Sequence, residues 1–284
     1  MLSNEGDRLT RVVVSTPSEE YFRVTDMTAQ NINEVADPRK TCQQFTCLKS
    51  TMEHFGCEVI EIPELTGHPN SVFTRDTAVS TPGGYITLRM GLEARRGEEE
   101  WMAQILESLG EPCAGQIRRP GTVEGGDILL AGSVAFVGCS IRTNKEGVKQ
   151  LSVLLENMDY EVRTVNVRGS LHLGGMMSAI GPKRLLCLRG KFPSDFFEGF
   201  DVIDVDCTGS CNGNVICLGE NEVIANSAEN MKVVRILEHH GVKVHAMDLS
   251  EFRKGGGGPS CLVLPIERKQ TAQGYSFFVE SKKV

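Results

Sequence analysis

A cysteine, a histidine, several carboxylates and an arginine each stand at the end of an apolar run in this sequence, most of them beside glycine. Cys261 closes the stretch Gly255-Gly256-Gly257-Gly258-Pro259-Ser260-Cys261 and precedes the apolar run Leu262-Val263-Leu264-Pro265-Ile266. Four successive glycines give up much chain entropy on folding, so they need a local reason, and close approach of backbone to a ligand is one. The run after the cysteine reads as a buried strand, so a mobile loop is expected to meet a rigid sheet at the thiol. Fixed position with open access suits a nucleophile. Phe73-Thr74-Arg75-Asp76, Glu124-Gly125-Gly126-Asp127 and Leu171-His172-Leu173-Gly174-Gly175 repeat the arrangement, and Arg142 follows the apolar stretch 134–141.

These types can be assembled into one reaction. A thiolate attacks, His172 moves the proton, and Glu124 orients the imidazole. Asp76 is left over as an anionic anchor, and an attack site that contains fixed carboxylates wants a cationic substrate. A guanidinium fits, being planar, delocalised and matched to carboxylates. Arg142 and Arg95 could then hold an anion at the far end of the substrate, which describes an arginine-like molecule. Each residue also has an ordinary structural explanation. Asp76 could pair with Arg75 at the surface. His172 could be a satisfied core histidine, Glu124 and Asp127 turn residues, and Arg142 a solvated strand end.

Composition narrows the field. The 284 residues are 40% hydrophobic and 24% charged, ordinary for a soluble globular protein. A net charge of −7 argues against nucleic acid as a partner. No apolar run reaches the length of a membrane span, and the first residues lack the profile of a signal peptide, so a cytoplasmic protein is expected. The ten cysteines then read as reduced thiols. Cys207, Cys211 and Cys217 cluster, but zinc would want a fourth ligand and no histidine lies nearby in sequence, so no metal is expected. Cys42 and Cys47 on one predicted helix, and Cys57, Cys139 and Cys187 in strand-like runs, read as packing residues. Nothing fixes the oligomeric state, and a homodimer is compatible with the sequence.

The elements that must position these groups recur. A helix-like segment ends at a small or turn residue and an alternating strand follows. Segments 48–55, 101–109, 148–158, 195–198 and 231–240 lead through Gly56, Gly110, Asp159, Gly199 and Gly241 to strands at 59–62, 114–117, 162–165, 202–205 and 242–244. Strand pairs with turn signals lie between them, as at 77–80 and 85–88 around Thr81-Pro82-Gly83-Gly84. Five α/β units of this size suggest a closed radial array in which strand ends converge on a central channel. No Pro/Ser-rich linker divides residues 1–284, so one domain is expected. The polar stretch 24–33 is a candidate mobile loop.

The motifs resemble, in order, those of the guanidino-modifying enzymes of the pentein (amidinotransferase-like) superfamily, and above all the dimethylarginine dimethylaminohydrolases. Pro69-Asn70-Ser71-Val72-Phe73-Thr74-Arg75-Asp76 is similar to their substrate-binding strand and Arg95-Arg96-Gly97-Glu98 to their lid-side arginine segment. Glu124-Gly125-Gly126-Asp127, Arg142-Thr143-Asn144, Leu171-His172-Leu173 and Cys261 follow. The resemblance spans about residues 9–268. It implies a five-bladed ββαβ propeller, Cys261 as a nucleophile forming a covalent thiouronium, His172 as acid and base, and Glu124 as its partner. It also implies Asp76 as guanidinium anchor, with Asn70, Phe73 and Asp127 beside it, Arg95 and Arg142 as the carboxylate clamp, and no cofactor.

Two departures, at Asn70 and Arg75, bear on substrate. The dimethylarginine enzymes have aspartate where this chain has Asn70, and asparagine there resembles the arginine dihydrolases. Arg75 makes Phe73-Thr74-Arg75-Asp76 similar to the arginine deiminase motif, while Gly174 stands where those enzymes carry aspartate. The reading is therefore a hydrolase of dimethylarginine, with arginine itself, or amidine transfer to an amine, as alternatives. A non-catalytic pentein that binds the ribosome is the alternative from another class, and it has no need of the Cys–His–Glu set.

Overall fold

The computed structural model describes residues 2–205 and 213–270, over which the repeat takes the form of five three-stranded sheets. In the first, β1 (Arg8–Ser15) pairs in parallel with β2 (Glu58–Ile62). The crossover between them carries two single-turn helices, α1 (Glu19–Phe22) and α2 (Met27–Gln30), and the long helix α3 (Pro38–His54). The second sheet is β3 (Ala78–Thr81), β4 (Gly84–Thr87) and β5 (Cys113–Gln116), with α4 (Glu98–Ser108) before its last strand. The third is β6 (Ile128–Ala131), β7 (Val134–Cys139) and β8 (Glu161–Asn166), with α5 (Lys145–Glu156). The fourth is β9 (Met177–Gly181), β10 (Arg184–Cys187) and β11 (Asp201–Asp204). The fifth is β12 (Val215–Gly219), β13 (Glu222–Asn226) and β14 (Lys243–Met247), with α6 (Ser227–His239). After α7 (Ser250–Lys254), β15 (Leu264–Lys269) returns to pair antiparallel with β1. Each sheet thus has one antiparallel and one parallel pair, and the first is built from both ends of the described chain.

Local chemistry explains the units. Asp37, Asn144 and Asn226 cap α3, α5 and α6 by accepting backbone N–H bonds from Lys40, Gly147 and Ala228. The five turn residues read from the sequence, Gly56, Gly110, Asp159, Gly199 and Gly241, all take the left-handed conformation, with φ of 91°, 79°, 65°, 87° and 77°. The strands β3, β6, β9 and β12 are buried throughout, whereas β5, β8 and β11 alternate with solvent. That gradient, from continuous apolar run to alternating strand, is what a sheet needs to point one edge at an axis and the other at water.

The core is divided among the junctions between sheets. Val13 and Leu264 of the first sheet pack on Tyr85 and Met102 of the second unit. Ile86 meets Leu130 and Val137 at the next junction, Phe136 meets Met177 and Leu185 at the third, and Ile180 meets Val215 and Val223 at the fourth. Ile216 and Ile224 then meet Leu9 and Val12, which closes the ring.

The structure corrects several expectations. Segment 195–198 is a turn and not a helix. Phe196, Phe197 and Phe200 cover the fourth sheet instead by packing on Phe136, with ring centroids 5.1, 6.1 and 5.4 Å away. The last strand begins at Leu264, three residues beyond Cys261, which lies in the 3-10 turn Pro259–Leu262. Cys42 and Cys47 are exposed on α3, while Cys57 and Cys187 are buried. Cys207 and Cys211 lie outside the described residues, and Cys217 is buried in β12. No described helix is long and apolar enough to cross a membrane.

Candidate functional site

The turn ahead of the innermost strand in each sheet brings a polar group to one cavity or to the groups behind it. The 3-10 turns Thr74–Asp76, Gly125–Asp127, Leu173–Gly175 and Pro259–Leu262 hold or directly follow Asp76, Glu124, His172 and Cys261. The fifth sheet supplies Asn214, immediately before β12. The cavity has a volume of about 460 Å³ and is lined by Asn70, Phe73, Asp76, Arg95, Arg142, His172 and Cys261 among others.

His172 is buried between carboxylates. Its Nε2 lies 2.8 Å from Glu124 Oε2, and its Nδ1 faces Asp76 Oδ1 at 3.9 Å. Burial opposes a charge on this ring, but Asp76, Asp127 and Glu124 outweigh it and push the histidine up to about 9. Glu124 answers in the opposite sense. Burial opposes its charge, yet the hydrogen bond and positive charge of His172, with Arg95 and Arg142, hold it well below the usual carboxylate range. Its Oε1 accepts N–H bonds from Gly91 at 3.0 Å and Leu92 at 3.1 Å. The Gly-Gly pair of the motif is steric, since a Cβ on Gly126 would stand 2.6 Å from His172 Nδ1 and 3.0 Å from Asp76 Oδ1.

Cys261 is half-buried at the cavity wall. Gly258 N–H points at its Sγ from 3.3 Å, and Asn214 Nδ2 lies 3.9 Å away. Asn214 ties the turn down, because its Nδ2 donates to Ser260 Oγ at 2.8 Å and its Oδ1 accepts from Ser260 N at 2.9 Å. The four glycines before it serve protein groups. Cβ atoms on Gly255 and Gly257 would overlap the Phe73 ring, one on Gly258 would strike Asn214, and Gly256 has a φ of 85°. The loop is therefore packed against protein groups at each of these positions except Gly256, where the backbone conformation asks for glycine.

The remaining predicted residues divide. Asp76 Oδ2 accepts from Arg95 Nη1 at 2.6 Å, and Oδ1 accepts from Gly126 N at 3.0 Å. Arg95, read from the sequence as an anion clamp, is committed in this state to Asp76, to Glu98 Oε2 and to Phe73 O. Arg142 uses Nη1 for Glu124, at 3.2 Å. Phe73 stacks edge-on against Tyr21, their centroids 6.0 Å apart. Asp127 stands behind the cavity wall, its two oxygens taken by Ser140 Oγ and Leu173 N, so it joins neighbouring units and does not face a substrate. Asn70 Nδ2 donates to Gln30 O at 2.8 Å and to Gln30 Oε1 at 3.0 Å. Segment 24–33 is accordingly pinned, and Asn33 N also bonds Lys254 O at 2.8 Å.

Asp76, Glu124 and His172 offer ligand atoms within 4.8 Å of one another, the spacing a metal would need. Arg95 and Arg142 are bonded to two of these three groups, and two fixed cations disfavour a third charge of the same sign. The sequence reading missed Asn214 and Gln30. The signal for Asn214 was present, since Gly213-Asn214 before Val215-Ile216-Cys217-Leu218 repeats the pattern of the other turns. Gln30 lies 40 residues from its partner and carries no local signal.

Comparison with known proteins identifies the family. Residues 15–268 match the family model described as N,N dimethylarginine dimethylhydrolase, eukaryotic. The chain is 32% identical over 267 residues to an uncharacterized protein of Aeropyrum pernix, covering 92% of this chain and 97% of that one. It is 29% identical over 254 residues to the N(G),N(G)-dimethylarginine dimethylaminohydrolase of Pseudomonas aeruginosa, covering 89% and 98%. A solved structure of the Pseudomonas aeruginosa protein, a cysteine-to-serine mutant complexed with citrulline, matches with a TM-score of 0.79 and 27% identity over 90% of this chain and 99% of that one.

Proposed function

This chain belongs to the N,N-dimethylarginine dimethylhydrolase family of the pentein superfamily, and from that premise we propose that it hydrolyses dimethylarginine to citrulline and dimethylamine. The observation that carries the proposal is the convergence of Cys261, the His172–Glu124 pair and Asp76 on one cavity. Asp76 holds the substrate guanidinium and draws charge onto its carbon. Cys261 Sγ, with the Gly258 N–H aimed at it and Asn214 Nδ2 3.9 Å away, attacks that carbon as the thiolate.

Glu124 occupies Nε2 of His172, so Nδ1, on the side of Asp76, handles the proton. A histidine pushed up to about 9 is an imidazolium at neutral pH and starts the cycle loaded as an acid. It gives its proton to the departing nitrogen. The C–N bond breaks, dimethylamine leaves, and the carbon stays bonded to sulfur as a thiouronium. The neutral imidazole then takes a proton from water while the water oxygen bonds to the same carbon. Collapse expels the thiolate, the remaining hydroxyl proton passes through solvent to the released dimethylamine, and citrulline is left, with one water consumed.

Arg95 fixes Asp76, and Arg142, which lines the cavity and gives Nη1 to Glu124, is assigned to the substrate carboxylate. Among the sequence departures, Asn70 lines the cavity, whereas Arg75 does not. Asn70 therefore favours a second reading, arginine as the substrate, and Arg75 bears on it less. The test is product analysis with asymmetric dimethylarginine, monomethylarginine and arginine side by side, with and without an amine acceptor. Citrulline plus dimethylamine supports the proposal. Citrulline or ornithine from arginine alone replaces it with the second reading, and a product that incorporates the acceptor replaces hydrolysis with transfer. Cys261→Ser is expected to abolish turnover with an unchanged melting temperature. Near-normal turnover in that variant would end the thiolate mechanism.

A further inference from the structure

Beneath the main cavity, among the innermost strands, is a second one of about 40 Å³. Gly126, Gly174 and Ser260 line both, so they form the floor between them. The lower cavity is walled by residues of β6, β9, β12 and β15, yet it also holds Glu5, Arg75 and Arg268. All three are buried, 7%, 8% and 7% exposed. Arg75 precedes Asp76 on its turn, and the two side chains serve opposite sides of the floor. Thr74 Oγ1 donates to Leu262 O at 3.2 Å and so bonds this turn to the one that bears Cys261.

Arg75 Nη2 donates to Glu5 Oε1 at 2.7 Å and to Ile128 O at 2.8 Å. Glu5 belongs to segment 2–7, which is inserted into the ring from the side away from the main cavity. Glu5 N bonds Leu130 O at 2.7 Å, Tyr160 Oη bonds Ser3 O at 2.7 Å, and Arg268 Nη1 bonds Asp7 O at 2.7 Å. A Cβ on Gly6 would overlap the Gly181 carbonyl, so the segment's path depends on glycine there. A buried ion pair contributes little net stability, because desolvation offsets much of the attraction. Its location under a nucleophile gives it another use.

We propose that Glu5 is a positioning residue for the reaction, one that acts through Arg75 to set how much positive charge the Cys261 sulfur feels from below the floor. The proposal rests on the reading of Cys261 as the nucleophile. Around Arg75 stand Glu5, Asp76, Arg268 and the thiols of Cys217 and Cys261, with Asp7 beyond Arg268. Burial opposes the Arg75 charge, and Glu5, Asp76 and Cys261 outweigh it, so the guanidinium is a permanent cation.

The test is the pH dependence of iodoacetamide alkylation at Cys261. It is followed by mass spectrometry of the Cys261 peptide in the full chain, in Glu5→Gln, in Arg75→Gln and in the double variant. Glutamine keeps an oxygen for Arg75 and Leu130 N but removes the opposing charge. The Glu5→Gln midpoint should fall, on the order of one pH unit for the loss of one opposing charge in a buried cluster. Arg75→Gln should raise the midpoint, and the double variant should return it close to wild type. If Arg75→Gln does not fold, Glu5→Gln and the double variant still decide. A purely structural pair would lower melting temperatures and leave the midpoints coincident, and coincident midpoints overturn the proposal. Alkylation needs no turnover, so this failure is distinct from active Cys261→Ser, which would sink the nucleophile reading itself.

Discussion

Replacing Glu124 with glutamine removes one charge and keeps the side-chain shape. The retained oxygen still accepts from Gly91 N and Leu92 N, now at 3.0 and 3.1 Å. The amide nitrogen takes the place of Oε2, 2.8 Å from His172 Nε2. An amide donates at that point, so it needs a lone pair on Nε2 and holds the imidazole neutral. Three carboxylates raise His172 from 6.5 to about 9 against its burial. That is about 3 kcal/mol of preference for the charged ring. With Glu124 neutral the Asp76 and Asp127 charges remain, so the histidine falls from about 9 by the share that Glu124 holds, on the order of one to two pH units. At pH 8 its protonated fraction then drops from about nine-tenths to between about one-half and one-tenth, roughly twofold to tenfold. Initial rates of citrulline formation from asymmetric dimethylarginine between pH 6 and pH 10 read this directly. Wild type should lose kcat/KM through a limb near pH 9. Glu124→Gln should lose it through a limb at about pH 7 to 8, with the rate at pH 8 down roughly twofold to tenfold. A limb that stays near pH 9 in the variant would refute the coupling, because the titrating group would then owe nothing to Glu124.

The same histidine ties stability to pH. Its raised value means the stabilisation is complete below about 6.5 and is lost as pH rises through about 9, so unfolding free energy should fall by up to about 3 kcal/mol between pH 6.5 and pH 9.5. Denaturant melts of wild type and His172→Gln measure this, and equal losses in both would assign the dependence to other groups. Gly126→Ala should push His172 and Asp76 apart and cost about a hundredfold in kcat with little change in melting temperature. Undiminished activity would show that the site relaxes around the methyl. Asn70→Asp would set a carboxylate against Gln30 O and Oε1, so amide exchange across residues 26–33 should accelerate and the preference between arginine and dimethylarginine should shift. Unchanged protection there would mean that Asn70 does not hold the segment.

Much of the fold was legible because the repeat is written in local terms. A helix, a left-handed turn residue and an alternating strand are each specified within about fifteen residues, and four of the five helix–turn–strand units formed as read. Segment 195–198 failed for a physical reason. Its Phe196 and Phe197 are apolar enough for a helix face, but those rings pack on Phe136 of the neighbouring sheet, and that tertiary contact sets the backbone. Residue type marked Cys261, His172, Glu124 and Asp76. It did not mark what each partner would be. Arg95 and Asp127 have types that suit a substrate, and only the geometry reveals that Asp76, Glu98, Ser140 and Leu173 have claimed them.

The division between repeated turns and unrepeated crossover separates two functions in this ring. The turns lie directly before buried strands, so the groups they carry inherit the rigidity of the inner sheets, and a shift of one moves a reacting atom. Asn70 precedes the first such turn and is bonded to α2, a single-turn α-helix that has no counterpart in the described crossovers of the other four sheets. Segment 24–33 is largely exposed and held by a few polar contacts, chiefly Asn70 to Gln30 and Asn33 to Lys254. Its opening therefore costs less than movement of any inner turn. Substitutions in the turns should lower kcat for every guanidine alike. Substitutions at Asn70 or Gln30 should redistribute kcat/KM among arginine, monomethylarginine and dimethylarginine. Parallel steady-state kinetics of Gly126→Ala and Gln30→Ala on the three substrates tests that separation. A uniform loss in Gln30→Ala, matching that of Gly126→Ala, would show that the crossover belongs to the catalytic frame and not to the selection of substrate.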